Sequence, residues 1–118
     1  MRRILVIVII SIVIGFVFSI VIHSVWVVYE AQENFRTGEK YRGGLGVPKD
    51  YSEAFKWYHK AAEQEHAGAQ FNVGLMYYKG EGIPKDDSKA LMWYHNAAGQ
   101  GIVQAQYNLG VMLSLIHI

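Results

Sequence analysis

The chain has 118 residues, with 11 Lys/Arg, 10 Asp/Glu and no cysteine. The absence of thiols excludes disulfides, thiolate metal sites and cysteine nucleophiles. Apart from Arg2 and Arg3, nine basic residues face ten acidic ones without clustering, so no nucleic-acid partner is expected.

The first element is apolar. Ile4–Val28 contains no Asp, Glu, Lys or Arg, and Ile4–Ile22 is Ile, Val, Leu and Phe broken only by Ser11, Gly15 and Ser19. About 20 such residues in a helix span the ~30 Å hydrocarbon layer. A cleavable signal has a shorter apolar region, about 7–15 residues, and a small-x-small cleavage site. Here the nearest small residue, Ala31, has Tyr29 two places before it. Residues 1–30 therefore read as an uncleaved transmembrane signal-anchor that meets the membrane through residues 4–28. A cleaved signal peptide and a buried soluble helix are the alternatives. Two basic residues precede the run, and Arg36, Lys40 and Arg42 follow it, so charge gives no clear orientation. The very short tail favours an amino terminus inside, with the remainder periplasmic or extracellular. Trp26 and Tyr29 then fall at the far interface, where His23 is also expected.

The second half is one sequence written twice. Residues 46–78 and 82–114, 36 apart, are identical at 17 of 33 aligned positions. A period of this length marks a stacked helical-repeat array, which presents an extended surface and binds more often than it catalyses. A degenerate copy precedes these: Phe35, Gly38, Tyr41, Gly44 and Gly46 match Phe71, Gly74, Tyr77, Gly80 and Gly82. The array is thus expected over 31–112, as 33–68, 69–104 and the start of a third copy, 105–112, with no linker after the anchor.

Within each copy, Gly-x-Gly-Val/Ile-Pro-Lys-Asp reads as a loop and helix start. Glycines suit the left-handed turn that ends a helix, and Pro48 and Pro84 cannot continue one. Asp50 and Asp86 are N-cap candidates, and Asp50 with Glu53 has the spacing of a capping box. Ala54, Tyr58, Ala61 and Ala62, repeated as Ala90, Tyr94, Ala97 and Ala98, form a helical stripe. Trp57 and Trp93 supply bulk between layers. Gly74 and Gly110 sit inside helices at about 1 kcal/mol each, which suggests close helix crossings. The helices expected are 2–30, 31–42, 51–65, 67–79, 87–99 and 103–115.

Residues 69–101, AQFNVGLMYYKGEGIPKDDSKALMWYHNAAGQG, resemble the Sel-1-like repeat, a relative of the tetratricopeptide repeat. Val73 stands where that pattern usually has Leu. The resemblance implies an all-α fold, a tetratricopeptide-like α-α superhelix preceded here by one transmembrane helix. It also implies adaptor or scaffold roles, often at bacterial envelopes. The cysteine-rich secreted relatives are linked by disulfides, a property that does not carry over to this chain.

The repeat register breaks at Leu113. Residues 113–118, LSLIHI, correspond to one reading frame of the transposase-end adapter of sequencing libraries, CTGTCTCTTATACACATC. They are expected to be a non-native read-through tail, with a genuine apolar tail as the alternative.

Candidate chemistry is sparse. His59, Glu63 and His66 have a metal-ligand spacing, but the second copy has Gly99 and Ile102 at two of the matching places, so a solvated face is expected. The Gly-rich GEGIPK lacks the GK[ST] ending of a phosphate loop. Asn72 and Asn108 recur as either structural hydrogen bonders or a carboxylate clamp, the former being favoured. No enzyme, cofactor, metal or small-molecule substrate is expected.

The function expected is a membrane-anchored scaffold for protein–protein interaction. The alternatives are a regulator of an envelope enzyme and a fragment of a larger enzyme. The resemblance puts the ligand, a protein or peptide, on the concave face. The candidate residues there are those not used by repeat packing: Phe71, Leu75, Tyr78, Lys79, Tyr107 and Val111. They are unusually apolar for exposed positions, unless neighbouring helices cover them.

Overall fold

The computed structural model describes residues 1–116, and among these residues there are five helices and no strand. The helices are α1 (Arg2–Gly43), α2 (Tyr51–Glu63), α3 (Ala67–Lys79), α4 (Asp87–Gly99) and α5 (Val103–Ile116). Each packs on its neighbours in sequence, as a helical-repeat stack requires. His117 and Ile118, the end of the expected read-through tail, lie outside the described residues.

The expected boundary between a membrane helix and a first repeat helix is absent. Val28–Asn34 contains neither Gly nor Pro to break the ladder, and α1 runs unbroken for 42 residues, about 63 Å. Its residues 2–26 are all exposed, whereas Ala31 is buried. The hydroxyls of Ser11 and Ser24 donate to the carbonyls of Ile7 and Ile20, both at 2.9 Å, so these polar groups are satisfied within the helix. Contact with the array starts at once. Gln64 Nε2 donates to Glu30 Oε2 at 3.1 Å, and Asn34 Nδ2 donates to Gln64 Oε1 at 3.2 Å.

The loops follow the sequence chemistry. Gly44 and Gly80 adopt left-handed φ of 65° and 71°, and the Gly80 and Glu81 N–H groups share the Met76 carbonyl. Asp50 and Asp86 then cap α2 and α4, accepting from Glu53 N at 3.0 Å and Lys89 N at 3.1 Å. The reciprocal half of the capping box does not form: the Asp50 N–H donates to the Tyr41 carbonyl at 2.9 Å, and the Glu53 carboxylate pairs with Lys56 Nζ at 2.8 Å. That bond is also what raises the Lys56 pKa.

Two apolar clusters form the core. One joins Ala54, Tyr58, Ala61 and Ala62 of α2 with Ala69, Val73 and Met76 of α3, and takes in Trp93. The other joins Ala90, Tyr94 and Ala97 of α4 with Ala105 and Met112 of α5. The alanines keep the helices close, and the two tyrosines fill the depth. The tryptophans differ from expectation. Trp93 is 9% exposed and meets the His59 ring edge-on at 5.6 Å. Trp57 is only half-buried and lies outside both clusters among the described residues, with Lys60 Nζ 4.5 Å from its ring centre. Trp93 packs against α2, the equivalent helix one repeat earlier. No such helix stands before Trp57, where the chain is still the apolar part of α1.

Candidate binding grooves

The tyrosine that follows each Trp lies over a glycine 20 residues earlier. A Cβ on Gly38 would stand 2.6 Å from the Tyr58 ring, and one on Gly74 would stand 2.8 Å from the Tyr94 ring. The close crossing inferred at Gly74 is therefore real, and its cause is an aromatic ring rather than a backbone. Gly110 departs from expectation, since nothing lies within 4 Å of its would-be Cβ. The position 20 residues on from Gly110 is beyond residue 118.

Each tyrosine points its hydroxyl at the gap between successive odd-numbered helices. In the first gap, between α1 and α3, the Tyr58 hydroxyl donates to Glu39 Oε1, which also accepts from Asn72 Nδ2 at 3.2 Å. Burial pushes the Tyr58 hydroxyl well above the ordinary phenolic range, and the Glu39 carboxylate adds to that rise. The recurring Asn72 thus has a structural hydrogen bond here.

The second gap, between α3 and α5, keeps the tyrosine and the asparagine but not the acid. Leu75 stands 36 residues after Glu39, and Tyr78 stands 36 after Arg42. Tyr94 is 1% exposed, and its hydroxyl has no hydrogen-bond partner among the described residues. Burial raises its pKa, and the Asn108 side chain facing it holds the rise back. The amide nevertheless falls short of hydrogen-bonding geometry. A cavity of about 190 Å³ opens here, lined by Leu75, Tyr78, Tyr94, Asn108, Val111 and Met112.

Three residues expected on a binding face, Leu75, Tyr78 and Val111, therefore line one cavity. Phe71 is half-buried and packs against the second cluster, its ring 5.8 Å from that of Tyr94. Lys79 lies outside the cavity, with Nζ 3.9 Å from Glu81 Oε1. Tyr107 is 71% exposed and also stands apart from the lining. The lining residues that sequence reasoning left off the site are Tyr94, Asn108 and Met112. Asn108 carried a signal, its recurrence with Asn72. Tyr94 was hidden because its spacing marks it as core, which it also is.

His59, Glu63 and His66 do not converge. His59 Nδ1 lies 3.5 Å from Glu63 Oε1. The Nδ1 of His66 caps α3 by accepting from Ala69 N at 3.0 Å, and its Nε2 meets Gln32 Oε1 at 3.1 Å. Among the described residues no group of His, Cys, Asp and Glu is placed to hold a metal ion.

The family model for the Sel1 repeat matches residues 34–66, 67–102 and 103–115. Among solved structures, the chain is similar to the Sel1 repeat protein from Oxalobacter formigenes, with 44% identity and a TM-score of 0.68. It is similar also to a protective antigen present in uropathogenic Escherichia coli strains that displays an SLR fold, with 43% identity and a TM-score of 0.67. Each alignment covers 70% of this chain, which spans 34% of the first protein and 18% of the second. Helicobacter pylori cysteine rich protein B is 25% identical, with 67% of this chain and 59% of that one covered and a TM-score of 0.65. Among curated proteins none matches the chain. With three successive matches to one repeat model over most of its length, the chain belongs to the Sel1 repeat family.

Proposed function

We propose that this protein is a membrane-anchored scaffold whose repeat array captures a protein or peptide partner on the face formed by α3 and α5. Sel1 repeats form a helical scaffold of a kind that generally mediates protein–protein interaction. The observation that carries the reading is the cavity between those helices. Leu75, Tyr78, Val111 and Met112 give it apolar walls, and Tyr107 stands exposed on α5. Clusters of apolar and aromatic side chains at a surface favour partner binding.

The anchor reading rests on α1, which among the described residues is the one helix long and apolar enough to cross a membrane. The Trp26 and Tyr29 rings, 6.0 Å apart, close its apolar stretch as an interfacial belt does. The array would then lie on the periplasmic side.

Capture of partners by the full chain in detergent tests the face. The double change Tyr78→Ala and Lys79→Ala is expected to reduce capture, and Lys56→Ala with Lys60→Ala on α2 is expected to leave it unchanged. Loss with the α2 pair alone would refute this face. The anchor is tested separately: the chain should stay with membranes through high salt and alkaline carbonate, because apolar burial is not screened by ions. A reporter fused after Met112 should be active outside the cytoplasm.

A further inference from the structure

We propose that the gap between α3 and α5 binds the side-chain carboxylate of an acidic residue on a partner, with the Tyr94 hydroxyl and the Asn108 amide as its donors. The inference rests on the binding-face reading above and names the chemistry of that face.

The first gap acts as an internal template. There one carboxylate oxygen, from Glu39, accepts from both the Tyr58 hydroxyl and the Asn72 amide. The second gap repeats both donors at the same offset, as Tyr94 and Asn108, and puts Leu75 where the carboxylate stood. A buried hydroxyl without a partner is costly, so the second gap holds a donor whose demand the described residues do not meet. Asn108 faces the same hydroxyl and lines the same cavity. The cavity of about 190 Å³ opens directly on the pair, large enough for a carboxylate and the methylenes that carry it.

The donors at the floor and the apolar walls favour an acid flanked by apolar residues. The rim is Leu75, Tyr78, Val111 and Met112, with no carboxylate among the lining residues to repel an anion. At the same rim Lys85 Nζ lies 4.7 Å from the Tyr78 ring centre, donates to the Tyr78 carbonyl at 3.0 Å and pairs with Asp87 Oδ1 at 3.4 Å, so its charge is already balanced. A glutamate side chain entering over Tyr78 would thus pass a neutral ion pair at the mouth and meet two neutral donors at the floor. Charge-assisted hydrogen bonds of this kind are about twice as strong as neutral ones. The chain's own residue at the template position is a leucine, and the proposal assigns the acid to a partner.

The test uses the full chain in non-ionic micelles, labelled with ¹³Cζ-tyrosine and side-chain ¹⁵N-asparagine. The probe is a capped Leu-Glu-Leu tripeptide, and its Leu-Gln-Leu analogue is the control. The Glu peptide should shift the Tyr94 and Asn108 signals saturably and leave those of Tyr58 and Asn72 in place. The Gln peptide should bind at least about tenfold more weakly, which is the difference a charged acceptor makes. Tyr94→Phe removes the hydroxyl donor, and Leu75→Glu supplies an internal carboxylate like that of Glu39. Each should weaken the Glu peptide by about tenfold or more while helix content is kept. Equal binding of the two peptides would overturn the proposal, as would undiminished binding by both variants. Absence of saturable binding, alongside partner capture that still depends on Tyr78 and Lys79, would overturn the carboxylate assignment and leave the binding face standing.

Discussion

Tyr58 and Tyr94 lie over equivalent glycines with nearly the same closeness, 2.6 and 2.8 Å from a would-be Cβ. Their hydroxyls end in opposite states. Tyr58 reaches Glu39, whereas Tyr94 is buried with no acceptor among the described residues. The residues that set this difference lie on the rim: Glu39 and Arg42 in one gap, Leu75 and Tyr78 in the other. The lesson is that a helical repeat fixes where a side chain goes and leaves open whether its polar end is satisfied. The interior Ala and Tyr positions are held by packing and recur. The rim positions bear little packing load, so there one copy can close a gap while the next leaves it open.

The comparison is broken most severely at the tryptophans. Trp93 is 9% exposed between α2 and α4, so Trp93→Ala should cost roughly 3–5 kcal/mol, as for other large core truncations. Trp57, half-buried under Lys60, should cost only about 1 kcal/mol. Urea unfolding of the full chain in non-ionic micelles reads both values. Equal losses would show that the two copies are equally packed.

The glycines give the next largest contrast. Gly74→Ala drives a methyl group into the Tyr94 ring and should cost about 1–3 kcal/mol. Gly110→Ala meets open space inside a helix and should stabilise by about 0.5–1 kcal/mol. A loss at Gly110 as large as that at Gly74 would mean that the space beside α5 is filled in solution.

Much of this was legible from the repeat itself. Period 36 places the loops, the capping aspartates and the alanine stripes, because local chemistry and packing agree at those positions. The merger of the first two expected helices is less legible: the change from apolar to polar residues near Glu30 suggests a boundary, while the backbone needs Gly or Pro to make one and has neither. The unequal burial of Trp57 and Trp93 was not legible, since identical residues in identical local contexts differ only in whether an equivalent helix precedes them. The binding face was partly legible. Leu75, Tyr78 and Val111 follow from helical spacing, whereas the role of Tyr94 depends on a substitution at another helix's rim.

That substitution makes the tyrosines a contrast of sign. Tyr58→Phe removes a hydrogen bond to a carboxylate, and with Glu39 partly hydrated it should cost about 1 kcal/mol. Tyr94→Phe removes a buried group that has no partner, and should be neutral or stabilising by up to about 1 kcal/mol. The same unfolding measurement decides this. A loss on Tyr94→Phe comparable to that on Tyr58→Phe would mean that the hydroxyl has a partner in the free protein.

The smallest contrast lies at the helix starts and depends on pH. His66 caps α3 through Nδ1, whereas Ile102, 36 residues later, has no side-chain acceptor to offer α5. Capping requires the neutral ring. Burial lowers the pKa of His66, and its neighbours on the packed side are the neutral Gln32 amide and the stacked Phe35 ring at 4.5 Å. The unfolded chain therefore takes up this proton first. The stability contributed by the group is fully present above the ordinary histidine pKa of about 6.5. It is lost as pH falls through that value, until the folded form protonates as well. Asparagine caps without titrating. His66→Asn should therefore match the parent near pH 8 and lose less stability than the parent between pH 7 and 5. The other histidines contribute equally to both proteins and cancel in the difference. An unchanged slope would separate the cap from the titration and leave the start of α3 as indifferent to pH as that of α5.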